Sequence, residues 1–317
     1  MKKLPFTFIE ADEESYHEIA AFYKSNNYGL MQESHLRWKY LENPFGKGRF
    51  FLVLNPQKKI QGTLGYIPRS IYGKNTGMKK VMDAVDLYFT PEARGKKLFP
   101  EFKRFAMSHL NDSLIAFPNK RSEKVTIDIG WEHVAPINTW FFPMLKNKCR
   151  KKKLPSMILP LCGLVEFLYN YLFLGKKSDR IIFKEVQNFD SDFSQLLTKH
   201  RPGHSSVYLN WRYANNPTQK FRLFEYHFEG KITGYAVLKT EKKSTVIYDF
   251  FVEKKEKQCF RKIIDFCSEN NFEKLIVKSS CLNFWKYGFI RFPSDISLIS
   301  YNLPSDKWLL MIGDSDW

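Results

Sequence analysis

Asp83 and Asp86 are the two carboxylates of an otherwise apolar, strand-like run, Val81–Phe89. A carboxyl group in apolar surroundings holds its proton more tightly than in water, which suits general-base work. Both are therefore candidate bases, and the Tyr88 phenol is a candidate acid. In a regular strand Asp86 and Tyr88 share one face, while Asp83, Val85, Leu87 and Phe89 share the other. The plainer reading of either aspartate is a hydrogen-bonded side chain near a strand edge. No nucleotide-binding P-loop, Ser/His/Asp order or zinc-ligand spacing occurs in the sequence. His200 and His204 are four apart, but Pro202 between them keeps one helical face from presenting both, so no metal is expected.

The elements that must position these residues come in two sets. Leu36-Arg37-Trp38-Lys39-Tyr40-Leu41-Glu42-Asn43-Pro44 returns as Leu209-Asn210-Trp211-Arg212-Tyr213-Ala214-Asn215-Asn216-Pro217. Each copy leads into an apolar strand and then a turn before a glycine, Gly62 or Gly234. The offset is far too long for a solenoid repeat, so two copies of one domain are expected. The first spans 1–145, a basic and apolar connecting segment 146–178, and the second 179–317. Trp38, Tyr40, Trp211 and Tyr213 suit core or interface positions. Trp38, Lys39, Tyr40 and Arg212 are also candidates for the substrate side, where Lys39 and Arg212 would meet an anionic acceptor.

Among 317 residues, 16% are aromatic, which argues against disorder, and the net charge of +17 suits an anionic partner. That partner is a cofactor's phosphates, an acidic polymer or a membrane surface; a merely lysine-rich solvated surface gives the same charge. The five cysteines are odd in number and never spaced C-x-x-C, as in reduced thiols rather than a disulfide frame. The N-terminal apolar stretch is too short for a signal peptide, so a cytoplasmic protein is expected. In the connecting segment, Lys146–Lys153 is densely basic. Leu164, Phe167, Leu168, Tyr171 and Leu172 then form a helical stripe. This stripe is expected to pack on the domains, with peripheral membrane contact through 146–175 as the alternative.

The element order within each copy is strand, helices, a meander of strands, helix, strand, helix. It predicts an α/β or α+β fold with a mixed sheet. In the first copy the strands fall at Phe6–Glu10, Phe50–Leu54, Gln61–Arg69, Val81–Phe89 and Leu114–Phe117, and helices near Asp12–Tyr23, Gln32–Tyr40, Leu98–Leu110 and Ser122–Ile129. The second copy repeats the order, with helices that include Ser191–Lys199 and Val207–Tyr213, and ends in strands at Ile296–Tyr301 and Lys307–Ile312.

This order, and the segment Asp86-Leu87-Tyr88-Phe89-Thr90-Pro91-Glu92-Ala93-Arg94-Gly95-Lys96-Lys97-Leu98-Phe99, resemble the GCN5-related N-acetyltransferase (GNAT) superfamily. The resemblance implies two tandem GNAT-like domains, each a mixed, mostly antiparallel sheet flanked by helices. It implies a turn whose backbone N–H groups hold the pyrophosphate of acetyl- or another acyl-coenzyme A, with Leu87, Phe89, Arg94, Gly95, Lys96, Lys97, Leu98, Phe99 and Asn119 at the cofactor. The activity implied is acyl transfer to an amine acceptor in a groove between the copies. The acceptor would be a small molecule such as a sugar or amino acid. The family's loop carries glycine where Lys97 stands and Gly or Ala where Phe99 stands. Its usual acidic tyrosine is replaced by Thr126 in the first copy and Phe284 in the second. The second copy's loop, Val252–Phe260, has no glycine and is not expected to bind the cofactor. Two alternatives remain: a Fem-like aminoacyl-tRNA-dependent transferase, the one reading with a nucleic-acid partner, and a non-catalytic GNAT-like binding protein.

Overall fold

The computed structural model describes residues 5–28, 31–95, 97–145, 147, 149, 158–196, 203–280, 283–293 and 296–311. The first part of the chain runs β1 (Thr7–Glu10), α1 (Tyr16–Ser25), α2 (Glu33–Tyr40), β2 (Arg49–Leu54), β3 (Ile60–Gly73) and β4 (Gly77–Phe89). It continues through α3 (Leu98–Ser108), β5 (Leu114–Ala116), α4 (Lys120–Ile127), β6 (Glu132–Pro136) and β7 (Asn138–Pro143). After α5 (Ile158–Leu174) come β8 (Ile181–Val186), α6 (Ser206–Leu209) with a π-turn at Asn210–Ala214, β9 (Arg222–Phe228), β10 (Lys231–Glu241) and β11 (Ser244–Val252). The chain closes with α7 (Glu256–Glu269), β12 (Lys274–Ser279), a 3-10 turn at Phe284–Tyr287, β13 (Ile290–Phe292) and β14 (Ser297–Tyr301), followed by a two-residue strand at Trp308–Leu309.

Two mixed, mostly antiparallel sheets result. The strand order is β1-β2-β3-β4-β5-β14-β6 in the first and β13-β7-β12-β11-β10-β9-β8 in the second. Pairing is parallel at β4–β5 and β11–β12. The units are Met1–Pro136 with Asn216–Gln219 and Asp295–Asp306, and Ile137–Asn215 with Lys220–Ser294 and Lys307–Trp317. They therefore differ from the sequence halves at two strands. β14, which the sequence order gives to the second copy, pairs with β5 and β6 of the first sheet. β7, on the first-copy side of residue 145, pairs with β12 and β13 of the second. Both are short apolar strands, and nothing local in such a strand records which sheet it completes.

In the first unit the sheet is covered on both faces. α1 presents Tyr16, Ile19, Phe22 and Tyr23 at helical spacing. These pack with Leu36, Tyr40, Phe50, Leu52, Ile67 and Val85. On the other face Leu98, Phe102 and Ala106 of α3, each four apart, join Phe51, Leu64, Met82 and Trp131. The repeated Asn-Pro is a turn device. Asn43 Oδ1 accepts from Phe45 N at 3.0 Å, and Asn216 Oδ1 accepts from Thr218 N at 3.1 Å. In each case the side chain mimics a backbone turn and stops the helix before it.

Two expectations change. Residues 191–196 form turns rather than the start of a helix. The stripe Leu164, Phe167, Leu168, Tyr171 and Leu172 of α5 is exposed rather than packed on the domains. The basic run, apart from Asn147 and Cys149, lies outside the described residues, as do His200 and Cys281.

Candidate functional site

The site is built on β4. Its pairing with β3 slips between Thr63↔Tyr88 and Gly65↔Val85, so Asp86 and Leu87 together oppose Leu64. Asp86 takes φ +54°, a left-handed conformation that aspartate tolerates better than most residues. This bulge reverses the alternation. Ala84, Leu87 and Phe89 face α3, whereas Val85 and Tyr88 face α1 and α2. Asp83, opposite Ile67, thus shares a face with Asp86 and Tyr88, contrary to the regular-strand expectation. β4 and β5 pair from Met82↔Leu114 to Ala84↔Ala116. Beyond that point β4 runs on to Phe89 without β5 beside it, so the two strands part at the bulge.

The two carboxylates have different surroundings. Asp83 is fully buried and accepts from Arg69 Nε at 2.7 Å, an ion pair within the sheet. Asp86 Oδ2 accepts from Lys39 Nζ at 2.8 Å and from Tyr40 OH at 2.5 Å. Its backbone oxygen accepts from Thr63 Oγ1 and Tyr23 OH at 2.9 and 3.2 Å. Burial, and then the Asp86 charge, push the Tyr40 and Tyr23 phenols well above their usual range. Lys39 is 2% exposed, and Trp38 and Tyr40 are buried. The residues placed on the substrate side by sequence are here the inner partners of Asp86 and the core around it. Tyr40 crosses the backbone so closely that a Cβ on Gly65 would lie 1.7 Å from its hydroxyl. Tyr88 meets Phe22 and Tyr23 edge-on and Tyr28 at a tilt, with its hydroxyl 3.4 Å from Asn26 Oδ1. A cavity of about 750 Å³ lies against α1 and the approach to α2, lined by His17, Ala20, Ala21, Lys24, Met31 and Gln32.

Residues 90–97 join β4 to α3. Arg94 Nε donates to Phe89 O at 2.9 Å, and its guanidinium lies 5.5 Å from the Tyr88 ring centre. Gly95 has φ +76° with no atom within 4 Å of where a Cβ would stand, so the backbone there is open to a ligand. Lys97 is left-handed at φ 57° and opens α3. Lysine thus occupies a turn position that glycine would take more easily. Lys96 lies outside the described residues. Leu98 is buried in the core, and Phe99 meets Phe89 edge-on at 6.4 Å. Asn119 caps α4, accepting from Arg121 N and Ser122 N at 3.0 and 3.1 Å. The donor set of Arg94, Lys97 and the first turn of α3 therefore fits an anionic group such as a pyrophosphate.

Sequence reasoning missed Arg69, Thr63 and Lys103. The first two could have been found as polar residues inside the apolar run of β3, where each needs a partner. Lys103 is 3% exposed, with Nζ 3.3 Å from Thr126 Oγ1 and 3.8 Å from the Trp131 ring centre. It therefore stands beside the residue at the family's tyrosine position. Burial lowers its pKa well below the ordinary lysine value. Wherever the unfolded chain keeps a proton that the folded one has lost, stability rises with pH, here up to about 10.4. Lys103→Met is accordingly expected to raise stability at pH 7, with a gain that shrinks toward pH 10. Urea titrations of both proteins across that range check it; a gain that grows with pH contradicts it.

The second unit carries the same plan with a shortened turn. Gly62↔Phe89 corresponds to Gly234↔Val252, which sets Asp249 at the place of Asp86. Asp249 is fully buried, with Tyr213 OH and His204 Nε2 each 3.5 Å away. Arg212 is buried on the matching helical turn. Residues 253–255 alone join β11 to α7, where 90–97 serve the first unit. Lys255 is left-handed like Lys97, and Glu256 follows it at the helix start. The turn is thus five residues shorter than in the first unit, and an acidic residue opens the helix. Among the described residues of the whole chain, no cluster of His, Cys, Asp or Glu is arranged to hold a metal ion.

Solved structures share this architecture, and the chain has the GNAT-superfamily fold in two GNAT-like units. It is similar to a GCN5-related N-acetyltransferase from Anabaena variabilis at 12% identity, over 93% of this chain and 72% of that one, with a TM-score of 0.63. A conserved protein of unknown function from Enterococcus faecalis matches at 11% identity, over 94% and 72%, with a TM-score of 0.61. Saccharomyces cerevisiae N-myristoyltransferase, solved with bound myristoyl-CoA, matches at 13% identity, over 97% and 81%, with a TM-score of 0.59. No protein-family model and no curated protein matches the chain.

Proposed function

We propose that this protein is an acyl-coenzyme A-dependent N-acyltransferase whose first unit holds the cofactor. The observation that carries the reading is one continuous feature of β4. It parts from β5 after Ala84, bulges at Asp86 and ends in a basic turn at the start of α3. Arg94, Lys97 and the backbone at Gly95 would hold the pyrophosphate, with Leu87 and Phe89 along the pantetheine. Bound acyl-coenzyme A supplies the activated acyl group. The chain's own residues orient the acceptor and take its proton. Asp86 is better placed for this than Asp83, because it lies past the last β4–β5 pair while Asp83 sits within the sheet on Arg69. Lys39 and Tyr40 fix the Asp86 carboxylate. The acceptor is a small amine, an amino sugar or amino acid, approaching from the α1 side of the strand.

Calorimetric titration with acetyl-CoA and with free CoA tests the cofactor assignment. Micromolar binding is expected, weakened at least about tenfold in Arg94→Glu, since a charged hydrogen bond contributes about 1.5–3 kcal/mol. An absence of heat and of any thermal shift with acetyl-CoA overturns the proposal. Binding untouched by Arg94→Glu overturns the placement of the pyrophosphate.

A further inference from the structure

α5 wears its amphipathicity inside out. Its two side chains of strongest polarity, Glu166 and Asn170, are one turn apart and buried at 7% and 4% exposure. Leu161, Leu164, Val165, Leu168, Tyr171 and Leu172 recur at helical spacing and are exposed, Leu172 at 76%. The helix is fixed from its inner side. Tyr169 OH donates to Gly288 O at 2.6 Å, Tyr169 and Phe173 pack on the second unit's core, and Leu174 is fully buried. A contiguous row of large apolar side chains is not the scattered exposure ordinary for a globular surface.

The charge around this row selects its occupant. Lys146, Lys148, Arg150, Lys151, Lys152 and Lys153 precede the helix in sequence. Lys176 and Lys177 follow the helix and are exposed. From 146 to 178 the one acidic residue is Glu166, which is turned inward. Of the two lysines after the helix, Lys177 is paired with Asp265 at 3.1 Å, which leaves Lys176 and the cations before the helix in sequence to give the row a positive flank; an apolar row so flanked matches an anionic lipid surface. A second copy of the chain matches it poorly, because a two-fold contact would set these cations against their own duplicates. The 17 residues of α5 give a helix of about 25 Å. No helix among the described residues is long and apolar enough to cross a membrane.

We propose that α5 is a membrane-docking helix: it lies in the interface of a bilayer containing anionic lipid, with its exposed apolar row inserted and the flanking cations on the lipid phosphates. The inference is independent of the cofactor reading.

Co-sedimentation of the full chain with vesicles tests it, using phosphatidylcholine alone and phosphatidylcholine with one quarter phosphatidylglycerol. The expected result is binding to the anionic vesicles that weakens by roughly tenfold or more on neutral vesicles and in high salt. Leu168→Asp/Leu172→Asp should abolish it without lowering the melting temperature, since both side chains are exposed. Lys151→Glu/Lys152→Glu should weaken it on anionic vesicles only. No sedimentation with anionic vesicles, or sedimentation equal in the leucine double variant, overturns the proposal. A dimer seen by light scattering, dissociated by that variant and indifferent to vesicles, also overturns it and assigns the row to a second copy.

Discussion

Asp86→Asn is expected to destabilise the first unit by about 3 kcal/mol, read as a shift in the urea midpoint. Asparagine keeps the shape of aspartate and tolerates the left-handed backbone at φ +54°, so the bulge itself is not the casualty. The charge is lost. Lys39 is 2% exposed and has its ammonium 2.8 Å from the carboxylate, so removing the negative partner leaves a buried cation. Breaking such a pair from one side costs about 3–5 kcal/mol; the lower end applies because an amide oxygen still accepts from Lys39 and Tyr40. Adding Lys39→Met should recover most of the loss, since replacing both charges is often close to neutral. It should not recover acyl transfer if Asp86 is the base. A single-variant loss below about 1 kcal/mol would mean that the pair is solvated rather than buried. Full activity in the stabilised double variant would remove Asp86 from the chemistry.

This network also shows what the sequence discloses and what it hides. Trp38–Pro44 and Trp211–Pro217 announce two copies of one fold, and Arg94-Gly95 marks the turn between β4 and α3, because both are local patterns. The reason for the repeated Lys/Arg-Tyr is not local. It lies in Asp86 and Asp249, which sit on β4 and β11. β3 and β4 are longer than β10 and β11, so the spacing from repeat to aspartate differs between the copies and no fixed offset reveals the match. The signal is present in Val85-Asp86-Leu87-Tyr88-Phe89 and Tyr248-Asp249-Phe250-Phe251-Val252, a carboxylate in each apolar strand ahead of a helix. The bulge at Asp86 is less accessible still. Strand alternation assigns Asp83 and Asp86 to opposite faces, and one left-handed residue undoes that. The outward stripe of α5 has the same origin: periodicity locates an apolar face but does not say which side the chain buries, and Glu166 and Asn170 take the inner one.

Gly65→Ala is expected to cost roughly 3–5 kcal/mol, far more than an added methyl group usually does. The new Cβ would lie 1.7 Å from Tyr40 OH and 2.6 Å from Cζ. The ring cannot slide away toward Gly48, where a Cβ would already meet Tyr40 Cδ1 at 2.6 Å and Tyr66 O at 2.9 Å. Two glycines thus make the slot through which Tyr40 reaches Asp86, and filling one expels the ring. The loss then includes the strain of overpacking, about 1–3 kcal/mol, and the hydrogen bond to a buried carboxylate, about 1.5–3 kcal/mol. Gly95→Ala is the control. It meets no atom within 4 Å but keeps φ +76°, so it should cost about 1–2 kcal/mol from backbone conformation alone. A double-mutant cycle with Tyr40→Leu separates contact from backbone. If the slot exists for the phenol, the two changes together should cost much less than their sum, because the leucine has already vacated the space that the methyl group takes. Additive costs, or equal costs for Gly65→Ala and Gly95→Ala, would mean that Tyr40 is not held between the glycines. The link from the repeated Trp-Lys-Tyr segment to the β4 carboxylate would then have to be abandoned.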